Sequence, residues 1–230
     1  SGRIACNVIA RLAESGPADA VAIFGLHLAP GMPNTIMAHG AWETPFGDLP
    51  VEDQLAAALC ERFTFQIETP TRHMRDNTIE LQLPFVRYFF GKTRILPIGV
   101  PPDPASLEIG RMLVEAARQQ GTTLRVLGST DLTHYGANYG FSPQGRGPAA
   151  REWVCNENDR RVIEAMLALD PEAVIREGLT HHNACCSGAA ATAIAAGKLL
   201  GARKAESVAY ATSYDRSPGD SFVGYAGILF

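Results

Sequence analysis

Cys185 and Cys186 stand side by side at the mouth of an Ala-rich segment, after Thr180-His181-His182-Asn183-Ala184 and before Ser187-Gly188-Ala189-Ala190. Sulfur and imidazole are donors that transition metals prefer, and a helix N-terminus favours thiolate over thiol. The same residues also read as one small buried hydrophobe with two solvated loop histidines. A second cluster is Ser129-Thr130-Asp131-Leu132-Thr133-His134-Tyr135-Gly136. There Asp131 and His134 leave an apolar run together, which suits a general base held in one tautomer by a carboxylate, and an Asx turn beside an exposed histidine fits the pattern equally. In Gly25-Leu26-His27-Leu28-Ala29-Pro30 a single histidine closes an apolar run, a place where histidine is more often structural. If these three segment ends meet at one sheet edge, His27, Asp131, His134 and Cys185 share a site.

The elements that must position them alternate along the chain. Ile4 to Leu12 is patterned as an amphipathic helix and Ala20 to Leu28 as a buried strand. A helix is expected from about Glu52 to Arg62, and another from a Thr78 cap towards Phe90 with Pro84 inside it, which a helix tolerates only in its first turn or at a kink. Arg94 to Val100 and Leu124 to Ser129 read as strands, with a helix over Pro104 to Gln119 between them. Helices follow at Ala150 to Leu169, Pro171 to Glu177 and Cys186 to Leu200, and strands at Ser207 to Thr212 and Val223 to Phe230. This order predicts a three-layer α/β/α fold with a central mixed sheet, in one domain over 1–230, with polar residues gathered at strand ends where open α/β sheets place their sites.

Composition narrows the function classes. The sequence has 230 residues, 46% of them hydrophobic, 22 glycines and a formal net charge of −4. Without a Lys/Arg cluster it has no electrostatic footprint for nucleic acid or an anionic membrane surface, which leaves a small molecule or a peptide as the expected ligand. No apolar run reaches the roughly 20 residues that span a bilayer, and no signal-peptide pattern opens the sequence, so a cytoplasmic protein is expected. The five cysteines have no disulfide-framework spacing, as where thiols stay reduced. Cys6, Cys60 and Cys155 fall on expected helices and read as buried packing residues, and His39 and His73 as surface or supporting residues.

Asp76-Asn77-Thr78-Ile79-Glu80-Leu81-Gln82-Leu83-Pro84-Phe85 resembles the E-H-S-[IL]-E-x-Q-L-P-[FY] motif of the Memo family. Further matches follow in order: Gly40-Ala41-Trp42 through Gly47, Ser129-Thr130-Asp131 with His134-Tyr135-Gly136, Ala184-Cys185 with Gly188, and Val223-Gly224-Tyr225-Ala226-Gly227. The resemblance covers essentially the whole chain and implies a fold like that of class III extradiol dioxygenases. It also implies a mononuclear iron or copper centre built from two histidines and a cysteine.

Carried over by position, Cys185 falls on the ligand cysteine and His27 close to a ligand histidine, in a loop one residue shorter than the family's. His134 and Asp131 fall on the acid/base histidine and its neighbour. The family's other ligand histidine lies in a P-H-A-G motif, the end of which Ser1-Gly2 resembles. Asn77 stands where the family has histidine, Asp76 where it has glutamate, Cys186 where it has glycine and Tyr214 where it has glycine. Asn77, Glu80, Cys186 and Tyr214 are therefore expected around the pocket. The resemblance implies three roles in turn: a metal-dependent oxidoreductase acting on a small, phenolic substrate, a non-catalytic binding or adaptor protein on the same pocket, or an accessory component beside a radical-SAM enzyme.

Overall fold

A computed structural model describes residues 1–230. Helix α1 (Gly2–Glu14) leads into strand β1 (Ala20–Gly25), followed by β2 (Thr35–Met37), β3 (Ala41–Trp42), β4 (Leu49–Pro50), α2 (Asp53–Cys60) and β5 (Gln66–Glu68). Then come α3 (Asn77–Glu80), α4 (Leu83–Phe90), β6 (Arg94–Gly99), α5 (Pro104–Gln120), β7 (Leu124–Gly128) and β8 (His134–Tyr135). The chain finishes with α6 (Pro148–Trp153), α7 (Asp159–Leu167), α8 (Pro171–His181), α9 (Ser187–Leu200), β9 (Glu206–Thr212) and β10 (Phe222–Leu229).

Five strands form the central sheet in the order β5-β2-β6-β1-β7. It is mixed: β1 runs parallel to β6 and β7, whereas β2 is antiparallel to β6. All six residues of β1 are buried because both faces are covered, and alternation sends its side chains to two different cores. Ala20, Ala22 and Phe24 join Leu96, Ile98, Leu113 and Ala189 under α5 and α9, while Val21 and Ile23 join Ile9, Leu83, Val86 and Ile95 under α1 and α4. Helices therefore sandwich the sheet, giving a mixed α/β architecture of three layers. A second sheet, β8-β10-β9, packs against α1 and α7. No helix is long and apolar enough to cross a membrane.

Three local outcomes differ from the expectation. The helix anticipated from a Thr78 cap to Phe90 is two helices, because Asp76 rather than Thr78 caps α3 and Pro84 begins a fresh helix, where its missing N–H leaves no intrahelical bond unmade. The helix anticipated over Ala150 to Leu169 contains a π-helical turn, Val154–Asn158, that joins α6 to α7. Cys60 is exposed at the end of α2 rather than buried, whereas Cys6 and Cys155 are half-buried. The short strands β2 and β5 have too few residues to carry a periodic signal.

Candidate metal centre

His27 lies just past the end of β1, Thr130 and Asp131 just past the end of β7, and Cys185 and Cys186 at the entry to α9. Because β1 and β7 are parallel neighbours, their carboxyl ends open side by side, the crevice in which α/β sheets hold ligands. Gly25 lets the α3 turn come close: a Cβ there would meet Thr78 Oγ1 and Ile79 Cγ1, each at 2.6 Å.

The turn between Gly25 and His27 is strained and clamped. Leu26 has φ +70°, a region that costs a non-glycine residue about 1–3 kcal/mol unless the surroundings enforce it. Here they do, since the Leu26 N–H donates to Thr78 Oγ1 at 2.8 Å. Asp76 Oδ2 accepts from the His27 backbone N–H at 3.0 Å and sits 2.6 Å from His27 Nδ1. Its Oδ1 accepts from the Thr78 N–H at 2.7 Å, so one carboxylate caps α3 and fixes the histidine ring. With Nδ1 committed to Asp76, Nε2 is the ring nitrogen free to act as a donor atom.

Cys185 is half-buried and held reciprocally by the β7 loop: its N–H donates to the Asp131 carbonyl at 3.1 Å, and the Asp131 N–H donates to its Sγ at 3.2 Å. Thr130 Oγ1 lies 3.7 Å from that sulfur and accepts from the Cys186 N–H at 3.0 Å. The two sulfurs, on consecutive residues, converge to 3.6 Å. His27, Cys185 and Cys186 each place one donor atom within 4.8 Å of the others.

The electrostatics follow from these contacts. Asp76 and, after it, Cys185 raise His27 to about 10, overcoming the burial that opposes its charge. Burial pushes the Asp76 carboxyl up, but hydrogen bonds from His27 and Thr78 outweigh this and hold it well below the carboxylate range. The Cys185 thiol is pulled down by the Cys186 hydrogen bond and by His27, against burial, while Cys186 is pushed up by its bond to Cys185 and by burial. One thiolate, one imidazolium and an adjacent thiol therefore share a crevice, and an ion bound there would displace the second ring proton of His27. An imidazole whose outer nitrogen is held by a carboxylate, beside a thiolate receiving a backbone N–H, is a donor set that fits an iron or copper ion, and His27 and Cys185 are the residues that would hold it.

The other residues singled out by sequence fall at varying places. His134 Nε2 lies 3.7 Å from Asp131 Oδ2, and its ring packs on Tyr139 with centroids 4.9 Å apart. Burial and the nearby Cys185 charge push the Asp131 carboxyl up. Asn77 and Asp131 line a cavity of about 400 Å³, as do Gln82, Thr130 and Tyr225, with apolar walls from α1 and β10. Glu80 is exposed at the end of α3 and does not line this cavity, and Tyr214 packs on Phe222 and under Arg151. His181 pairs with Glu177, and His182 caps α8 in the left-handed region with its ring on Phe141, so neither joins the sulfurs.

Four positioning residues carry little sequence signal of their own: Asp76, Thr78, Thr130 and Asp159. The π-helical turn is what makes Asp159 matter, because it aims Asn158 and Asp159 together at the β7 loop. Asp159 Oδ1 accepts from Thr133 N–H at 2.9 Å and Thr133 Oγ1 at 2.5 Å, while Oδ2 accepts from the Tyr210 hydroxyl at 2.7 Å. Asn158 Nδ2 donates to Thr133 Oγ1 at 2.9 Å. Burial pushes Asp159 up to about 6 in spite of these donors.

Fold and site together define an α/β protein with an imidazole–thiolate centre at the carboxyl ends of two parallel strands. Residues 1–229 match the Memo-like protein family, and the chain belongs to it. A MEMO1 family protein of Pyrococcus furiosus is 33% identical over 238 residues, covering 100% of this chain and 82% of that protein. One from Methanopyrus kandleri is 34% identical over 238 residues, covering 100% and 78%. Among solved structures, an uncharacterized protein from Escherichia coli K12 shares the fold, with a TM-score of 0.58 at 12% identity over 95% of this chain and 90% of that one.

Proposed function

We propose that this Memo-like protein is a metal-dependent oxidoreductase of the dioxygenase type, in which His27 and Cys185 bind iron or copper next to a pocket for a small phenolic substrate. The observation that supports it best is His27, fixed through Nδ1 by Asp76 at 2.6 Å with a ring nitrogen within 4.8 Å of the Cys185 sulfur. When bound, the metal supplies Lewis acidity and access to one-electron chemistry. The protein's own part is positional. Asp76 sets the ring orientation of His27, and the Asp131 N–H keeps the Cys185 sulfur turned into the crevice. His134 Nε2 accepts a phenolic proton, and the Asp131 carboxylate 3.7 Å away stabilises the imidazolium that results. The apolar walls of the adjoining cavity exclude water and suit one aromatic ring, with Asn77 and Asp131 as polar contacts.

A binding-only role is the second reading, and it rests on Asn77, an amide where the resemblance puts an imidazole. Metal analysis after anaerobic purification, with oxygen uptake on a panel of catechols, separates the two. The oxidoreductase reading expects near-stoichiometric iron or copper, lost in Cys185→Ala, and oxygen uptake lost in His134→Gln with metal retained. Phenol binding by metal-free protein with no oxygen uptake after loading would favour the binding role.

A further inference from the structure

We infer that Cys186 supplies a third donor atom, making the centre a His27–Cys185–Cys186 chelate for a thiophilic ion. This rests on the reading that His27 and Cys185 hold the metal and goes beyond it by adding a second sulfur. Two distances carry the argument. The donor atoms of His27, Cys185 and Cys186 all lie within 4.8 Å of one another, and the sulfurs are 3.6 Å apart. A tetrahedral ion with metal–sulfur bonds of about 2.3 Å separates its sulfurs by about 3.8 Å, so the pair already spans one edge of such a site.

Consecutive residues in extended or helical backbone send their side chains apart, so this convergence needs a cause. Cys186 is the N-cap of α9, with φ −127° and ψ 53°, which turns its side chain back towards that of Cys185. Thr130 Oγ1 holds this geometry by accepting the Cys186 N–H at 3.0 Å. Cys186 is only 4% exposed, and its Sγ has no hydrogen-bond partner other than the Cys185 sulfur. A φ of −127° is open to any residue, so the backbone does not demand glycine here, and a thiol is free to take the place that the resemblance gives to glycine. Two sulfurs and an imidazole favour copper(I) or zinc(II) over hard ions such as magnesium or manganese.

Cobalt(II) added to the reduced, metal-free full chain is the probe, because each thiolate bound to it contributes near-ultraviolet charge-transfer absorption. The wild type should show a two-thiolate band, and Cys186→Gly and Cys186→Ala should each keep about half its intensity and lose at least roughly tenfold in affinity. Thermal melts of both variants check that the fold is retained. Magnesium should not compete. Identical band intensity and affinity in wild type and both Cys186 variants would overturn the third ligand and leave the His27–Cys185 reading standing. Unaltered cobalt binding in Cys185→Ala would overturn that reading itself, and with it the chelate.

Discussion

Asp76 Oδ2 receives both the backbone N–H and the ring Nδ1 of His27, at 3.0 and 2.6 Å, so one carboxylate oxygen sets where the histidine backbone turns and which ring nitrogen is left uncommitted. The same side chain caps α3 through Thr78 and is only 4% exposed. Removing it therefore has two separable effects. Asp76→Asn keeps the shape but not the charge, and should weaken metal binding by roughly 10–100-fold, the usual consequence of losing an outer-shell carboxylate. Asp76→Ala also strands the Thr78 and His27 N–H groups, and should cost about 1–3 kcal/mol of stability. Chelator competition reads the first effect and denaturant unfolding the second; unchanged affinity in both variants would show that Asp76 does not orient the ring.

Cys185 should be the reactive thiol of the metal-free protein. The Cys186 hydrogen bond and His27 stabilise its thiolate, so alkylation by iodoacetamide should persist at pH 6, where ordinary thiols are protonated. His27→Ala removes a cationic hydrogen-bond partner, raises the Cys185 pKa and should slow labelling at pH 6 much more than at pH 9. Peptide mapping after brief labelling distinguishes Cys185 from Cys186, which its neighbour and burial keep protonated. Preferential labelling of Cys186 would contradict this assignment.

Two buried aspartates should give stability opposite pH dependences. Asp159 is raised to about 6 from 3.8, so its charged form is penalised in the fold: its contribution is unfavourable above pH 6 and relieved as pH falls from 6 towards 4. That penalty is roughly 3 kcal/mol at most. Asp76 is depressed, so the stability it provides is present above about pH 4 and lost as pH falls below it. Asp159→Asn should flatten the unfolding free energy between pH 4 and 7 relative to wild type. A variant with the same slope as wild type over that range would remove Asp159 as its source.

Gly188 sits in the first turn of α9, where a Cβ would lie 2.3 Å from the Pro101 carbonyl oxygen. Gly188→Ala must push the helix off the loop that follows β6, and both cysteines move with it. Overpacking of this kind typically costs about 1–3 kcal/mol, and metal affinity should fall together with the melting temperature. Gly201→Ala, at the far end of α9 with no atom within reach of a new Cβ but a positive φ, should lower stability and leave metal affinity unchanged. If affinity fell equally in both, α9 position would not be what sets the site.

The long elements were legible because periodicity is a local signal. The buried run Ala20 to Gly25 and the Ala-rich segment ending at Gly201 state their own secondary structure, and a helix-flanked α/β sheet follows from their alternation. The closeness of Asp131 and His134 was also legible, although His134 does not leave β7 with Asp131 but opens β8 of the second sheet, and Cys185 was marked out by its type and context. The support was not. Asp76 does not stand out in sequence, where Thr78 reads as the helix cap, and only the fold brings it 49 positions back along the chain to His27. Asp159 lies in what reads as an uninterrupted helix; the π-helical turn that aims it at Thr133 leaves no compositional trace. The convergence of Cys185 and Cys186 likewise depends on one backbone angle pair at a helix cap, which adjacency alone does not determine.

X-ray absorption of the metal-loaded full chain tests most directly whether His27 and Cys185 hold the ion. The account predicts sulfur scattering at about 2.3 Å together with imidazole scattering at about 2.0–2.1 Å, with the sulfur shell reduced or lost in Cys185→Ala and the imidazole shell lost in His27→Ala. A first shell of oxygen and nitrogen alone, unchanged in Cys185→Ala, would contradict it.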